Sequence, residues 1–218
     1  MLWLPQARLF DEPSEFFFTA GYDSPLGHLD LAMSEHGLAV VALHGRWGAP
    51  HGTRLPNAGN VRWIEEPERF RGVCRQLDEY FAGERRQFDL ALDLRGPEFY
   101  RRCWEALLRI PYGETWPYAR LAAAVGSPQA SRAVGQANHH NPVAIIVPCH
   151  RVIASNGSLA GYAGGLAAKE FLLNLEGAHT EGAHIRRRLP AQGSLFGEFA
   201  ASMHRASTHG VERTFAKP

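Results

Sequence analysis

The stretch from Val147 to Val152 reads VPCHRV and sets a thiol, an imidazole and a guanidinium side by side. A free thiol has a pKa of about 8.5 and is mostly protonated at neutral pH, so it needs help to become a nucleophile. Histidine titrates near neutrality and can take the proton. A carboxylate elsewhere in the chain would then hold the ring, completing a nucleophile, base and orienter. The resulting thiolate suits displacement at carbon. Given an oxyanion hole it would equally suit hydrolysis of an ester. The pair alone does not choose between them, and a His150 satisfied inside a core is the bland alternative.

The elements around the pair narrow the choice. VAIIV, residues 143–147, is an apolar, β-branched run and reads as a buried strand delivering Cys149 at its end. Upstream, Phe99 to Ile110 reads as a helix ended by Pro111-Tyr112-Gly113. Tyr118 to Val125 and Gln129 to Asn138 read as two short helices joined by a tight turn at Gly126-Ser127-Pro128. That pair has a helix-turn-helix outline, although short helix pairs also occur in ordinary cores. Downstream, Ser155-Asn156-Gly157 is a turn and Gly161 to Gly165 a glycine-rich loop without the spacing of a phosphate-binding motif. Leu166 to Leu175 reads as a helix with Lys169 and Glu170 exposed, closed by Glu176-Gly177.

The first half reads as scaffold. Three short strands with hairpin breaks at Ser24–Gly27 and Glu35–Gly37 precede a Gly/Pro/Asn-rich loop over 48–60. Pro67 opens a helix to about residue 82, with Phe70, Val73, Cys74, Leu77 and Phe81 at helical spacing. FDLALDL, 88–94, alternates like a half-buried strand. The fold class is therefore mixed α/β (α+β).

Bulk properties set bounds. The chain has 218 residues, 45% hydrophobic and 21% charged, ordinary for a globular protein. No apolar run is long enough to span a membrane, and the start lacks a signal peptide. Cys74, Cys103 and Cys149 are widely spaced and odd in number, which argues against a disulfide framework and for a reducing, cytoplasmic setting. Net charge is +1, but unevenly spread: −4 over residues 1–95, +2 over 96–178 and +3 over 179–218. A polyanion would prefer the second half.

With these pieces in place the chain resembles a known family. Pro148-Cys149-His150-Arg151-Val152-Ile153, preceded by Asn141-Pro142-Val143 and followed by GYAGGL (161–166), Lys169-Glu170, Leu172-Leu173 and Glu176-Gly177, is similar to the O6-alkylguanine-DNA alkyltransferases, the methylated-DNA–protein-cysteine methyltransferases. IPYGETW (110–116), Tyr118, Leu121-Ala122, SRAVG (131–135) and the SPLG opening at Ser24 fit the same family, so the likeness covers about residues 16–178. It implies an RNase H-like domain over 16–95 and a winged helix-turn-helix domain over 96–178; beyond the match lie a leader over 1–15 and a tail over 179–218 whose low hydrophobicity predicts flexibility.

The activity implied is DNA repair by single-turnover transfer of an alkyl group from O6-alkylguanine, and from O4-alkylthymine, in flipped-out DNA. The resemblance gives Cys149 as acceptor, His150 as its base through a water, Glu176 as the orienter of His150, Tyr118 as proton donor to guanine N3, and Asn141 as the brace of the turn before the strand. Arg132 fills the space left by the flipped nucleotide, with Ser131, Ala133, Gly135 and Arg151 also toward DNA. Val147, Pro148, Val152, Tyr162, Ala163 and Lys169 frame the base. The chemistry is coherent, since the attacked atom is unreachable in a stacked duplex and the product thioether has no second cysteine in C-x-x-C spacing to release it.

Some positions depart from relatives. Ala163 lacks a hydroxyl some relatives place beside O6, and Gln136, Asn138 and His139 replace smaller, apolar or basic residues near the DNA-facing helix. Some relatives hold zinc through N-terminal cysteines, but the first cysteine here is Cys74, so no metal and no cofactor is expected. Outside the matched region, Gln192–Phe196 (QGSLF) and Gln6–Phe10 (QARLF) resemble the Q-x-x-L-F peptide that docks bacterial repair proteins on the sliding clamp, with Gln192, Leu195, Phe196, Gln6, Leu9 and Phe10 as contacts. The chain is expected to be a monomer whose partner is double-stranded DNA. A non-catalytic lesion-binding protein is the alternative, disfavoured because Cys149, His150 and Glu176 are all present.

Overall fold

The computed structural model describes residues 15–43, 61–181 and 184–185. Both clamp-like peptides therefore lie outside the described residues. The chain begins with β1 (Glu15–Ser24), β2 (Gly27–Ser34) and β3 (Gly37–Leu43), an antiparallel meander with its turns at the breakers named above. β4 (Val61–Glu65) adds in parallel to β1, giving the order β3-β2-β1-β4. One face of this sheet carries Phe18, Ala20, Leu29, Leu31, Leu38 and Val41 into the main core. A 3-10 turn at Pro67–Phe70 leads into α1 (Arg71–Phe81), as the proline and the apolar spacing predict. Phe70, Leu77 and Tyr80 are fully buried, each worth about 1.5–3 kcal/mol in burial.

The second half contains α2 (Glu98–Leu107), a two-residue strand β5 (Trp116–Pro117), α3 (Tyr118–Ala124) and α4 (Ser131–His139). A short β6 (Val152–Ile153) runs parallel to β5, and α5 (Leu166–Leu175) follows. The buried Trp104 of α2 donates its indole N–H to the Ala137 carbonyl at 2.8 Å, tying α2 to α4. The core is continuous: Leu77 and Tyr80 of the first half share it with Leu107, Val134, Val147 and Leu172 of the second. Among the described residues no helix is long and apolar enough to cross a membrane.

Two readings are corrected. FDLALDL keeps its alternation, with Phe88, Leu90 and Leu92 turned inward, but forms only an isolated bridge, Leu38 to Leu92. VAIIV is not a strand. Only Val143 bridges to Val41, after which the chain turns tightly, Val147 N–H bonding Val143 O at 2.9 Å and Ile145 standing at φ 73°. An extended ladder cannot contain that positive φ. Apolar content reported burial here, and burial is not a strand. The outer edge of β3 is thus capped by two pieces, 91–93 and 142–144, through Leu38 and Val41, which covers unpaired backbone groups.

Two short strands lie at the start of the segment expected as the tail. β7 (Thr180–Glu181) pairs with β8 (His184–Ile185), and Ile185 packs against Ile153, Leu159 and Leu173.

Candidate active site

Cys149 opens a 3-10 turn, Cys149–Arg151, so successive side chains point in different directions. Cys149 lines an open cavity of about 440 Å³, shared with Tyr118, Gly135, Asn138, Tyr162 and Ala163, within the range of small-molecule sites. His150 and Arg151 turn the other way, into the core.

The turn is held by Asn141, whose role is larger than bracing. Its buried amide donates to Val147 O at 2.7 Å and to Cys149 Sγ at 3.1 Å, while its Oδ1 accepts from Val143 N–H at 3.1 Å. A donor aimed at sulfur favours the thiolate. Asn141 is fixed in turn by its neighbours, since Pro142 O and Ala144 N–H are hydrogen-bonded to Val41 of β3.

Behind the sulfur, His150 Nε2 meets Glu176 Oε1 at 3.0 Å, both side chains fully buried. Burial holds His150 below its ordinary pKa, against the pull of Glu176. Burial alone would raise Glu176, but His150 and Arg151 outweigh it and keep the carboxyl well below the usual range. The pair is thus a neutral imidazole and a carboxylate. Nε2–H donates to Glu176, which leaves Nδ1 as the basic nitrogen. Glu176 caps α5, where Gly177 at φ 79° ends the helix. Gly113 approaches so closely that a Cβ there would stand 2.7 Å from Glu176 O.

Arg151 does not face DNA. Its Nε donates to Glu176 Oε2 and its Nη2 to Oε1, each at 2.8 Å, and its Nη1 to Ile110 O at 2.6 Å. A guanidinium so occupied beside a buried carboxylate is structural, unlike the place toward DNA that the resemblance implied. Lys169, expected to be exposed, is fully buried. Its Nζ donates to Val152 O at 2.6 Å and to Leu159 O, tying α5 to the strand after Cys149. Burial pushes its pKa down to about 8, with the Cys149 charge opposing. Val152 O keeps one lone pair for another donor.

Tyr118 begins α3 and lines the cavity. Burial, then the nearby Cys149, raise its pKa, so it is a phenol throughout the neutral range. On α4, Arg132 and Ala133 are exposed and Ser131 is half-buried, on the side away from the buried Val134. The cavity does not include Val147, Pro148, Val152 or Lys169 in its wall, which instead form the buried support behind it. It does include Gln136, Asn138, His139 and Gly161. The first three lie within a turn of Gly135 on α4, a spacing the sequence displays but whose outward direction it does not.

The arrangement sets a cysteine, backed by a buried histidine and carboxylate, beside a helix pair of DNA-binding outline, features that suit a cysteine-based transferase acting on nucleic acid. Residues 98–178 match the DNA-binding domain of the 6-O-methylguanine DNA methyltransferases, and residues 18–94 match their ribonuclease-like domain. The chain belongs to this family.

Curated relatives include a methylated-DNA–protein-cysteine methyltransferase of Methanosarcina acetivorans, 49% identical over 74% of this chain and 99% of its own length. Another, from Mycolicibacterium paratuberculosis, is 49% identical over 80% of this chain and 95% of its own. Among solved structures, the Mycobacterium tuberculosis O6-methylguanine methyltransferase is similar at 45% identity and TM-score 0.66, covering 76% of this chain and 96% of that one. The same organism's OGT in complex with DNA matches at 46% identity and TM-score 0.64, over 74% and 92%.

Proposed function

We propose that this chain repairs DNA by moving the alkyl group of O6-alkylguanine onto Cys149 Sγ, once per molecule. The observation that carries the reading is the placement of Cys149: it lines the open cavity, its sulfur receives the Asn141 amide, and it is followed by a His150 whose tautomer Glu176 sets. In the reaction the thiol proton goes toward His150 Nδ1, by way of water, as the S–C bond forms and the C–O bond breaks. The electron pair left on guanine is neutralised by a proton from Tyr118, which spares the departure of an anion. The alkyl-sulfur product is a thioether, so the site is consumed.

Arg132, exposed on α4, fills the gap in the duplex, and Ser131, Ala133 and Gly135 allow that helix to lie close to the groove. The Tyr162–Ala163 backbone faces O6. The reading extends to O4-alkylthymine, to action as a monomer in the cytoplasm on nucleoid DNA, and to docking on the sliding clamp through Gln192–Phe196 or Gln6–Phe10. If Gln192–Phe196 is the docking peptide, Leu195→Ala with Phe196→Ala should remove co-elution with clamp while leaving repair of a short duplex unchanged.

The deciding experiment is intact-mass analysis after incubation with a duplex carrying O6-methylguanine. One methyl gained per molecule, mapped to the Cys149 peptide and with no further turnover, is the expected result. Tight binding without a mass change would replace the reading with that of a lesion sensor. A companion variant, Tyr118→Phe, should keep the fold and lower the single-turnover rate by about 10²-fold, the usual worth of a positioned acid. Quench-flow kinetics with unaltered DNA affinity would check it.

A further inference from the structure

The carboxylate that sets the His150 tautomer has a partner from the far side of the molecule. Tyr80, on α1, is fully buried and donates its hydroxyl to Glu176 Oε1 at 2.8 Å. That oxygen is the one His150 Nε2 uses, and Arg151 Nη2 reaches it too. The Tyr80 ring is wedged against Phe81, Phe88 and Tyr112, with centroids 5.3–6.3 Å away. It cannot swing clear without emptying that cluster. Tyr80 is a firm phenol donor, since burial and then Glu176 keep it protonated well past neutrality.

We infer that Tyr80 is a positioning residue of the alkyl-acceptor site: its hydroxyl draws charge from Glu176 Oε1, the oxygen that holds His150 Nε2, and so, adding to the effect of burial, helps leave Nδ1 free to act on Cys149. The inference rests on the function proposed above only for its consequence in repair. The contact itself ties the sheet-bearing half of the chain to the reactive half. A hydrogen bond to a carboxylate lowers its basicity, and a less basic partner stabilises an imidazolium less. The charged and titratable groups about His150 are Glu176 at the end of α5, Lys169 within α5, Arg151 from its own turn, and Tyr80 from α1 behind Glu176, with Cys149 its neighbour in the chain. Tyr112, beyond Tyr80 and near Arg86 and Arg151, completes the set. Of these, Tyr80 is the uncharged donor from the first half, and removing its oxygen changes no formal charge.

The test compares the full chain with Tyr80→Phe and with 3-fluorotyrosine incorporated at position 80, a stronger donor of nearly the same shape. The direct readout is the NMR titration of His150, which needs no DNA. The second is the pH profile of single-turnover transfer from an O6-methylguanine duplex. In Tyr80→Phe the His150 midpoint should rise by roughly half a pH unit, and the acid limb of the rate profile should move up with it. Fluorotyrosine should move both the other way. Phe88→Leu, which loosens the packing around the ring but spares the hydroxyl, should leave the midpoint where it is. An unmoved His150 midpoint in Tyr80→Phe, or an equal shift in Phe88→Leu, would overturn the inference. Should Tyr80→Phe fail to fold, the fluorotyrosine shift alone decides. Should the duplex leave no methyl on the wild-type protein, the function would fall while the His150 titration still judged Tyr80.

Discussion

Cys149→Ser should fold, bind DNA and transfer nothing. The hydroxyl is smaller than the thiol by little and can still accept the Asn141 amide, so the turn survives. The reactivity does not. A serine hydroxyl is far less acidic than a thiol, and its oxygen is a hard, poorly polarisable attacker at an alkyl carbon. The rate should drop by at least ~10³-fold, as loss of a nucleophile does elsewhere. Neither other cysteine substitutes. Cys103 is fully buried in α2, its thiol pushed up to about 11 by burial. Cys74 lies on α1 against the core, its thiol likewise raised by burial and then by Asp78. Intact mass after incubation with excess lesion duplex checks this: one methyl on the wild type and none on the variant. A methyl on Cys149→Ser would mean that the acceptor lies elsewhere.

Glu176→Gln should injure both stability and activity. The carboxylate is nearly inaccessible and receives Tyr80, His150, two Arg151 nitrogens and a longer bond from Gly113 N–H at 3.4 Å. An amide can accept on one atom only, and its NH2 would face donors. Arg151, whose side chain is 8% exposed, would be a buried cation without its counter-charge. Breaking such a pair costs about 3–5 kcal/mol. Transfer should fall by ~10²-fold or more, because the His150 tautomer is no longer set. The loss depends on pH in a defined direction. Glu176 has a folded pKa held well below its unfolded value. Its contribution is therefore full above the unfolded carboxylate pKa of about 4.3, and is lost as pH falls from there toward the folded value. Denaturant melts of wild type and variant should thus differ most near neutrality and converge in acid. A constant difference from pH 7 to pH 3 would show that the charge of Glu176 does not stabilise this fold.

The comparison of sequence and structure turns on a few residues. The hairpin breakers at 24–27 and 35–37 were legible because turns are encoded by local backbone preference. So were the helix over 71–81 and the close of α5 at Gly177. The 143–147 segment was misread because a β-branched apolar run marks burial equally in a strand or a packed turn. Lys169 was misread because a lysine beside a glutamate on a helix ordinarily faces water. Its buried ammonium is tolerated because Val152 O and Leu159 O lie within reach, contacts 17 and 10 residues away along the chain.

By itself the sequence determined the mixed α/β class and, through long motif spacing, the family, whose pattern singled out Cys149, His150 and Glu176. These are matters of residue type and local order, which survive in one dimension. Only the tertiary structure decided where each polar group spends its hydrogen bonds. It turned Arg151 from the duplex into an ion pair, brought the Asn141 amide to the sulfur, and reached across 96 positions to set Tyr80 on Glu176. Buried donors and acceptors must be satisfied wherever a partner lies, and that partner is chosen by packing between elements distant in the chain.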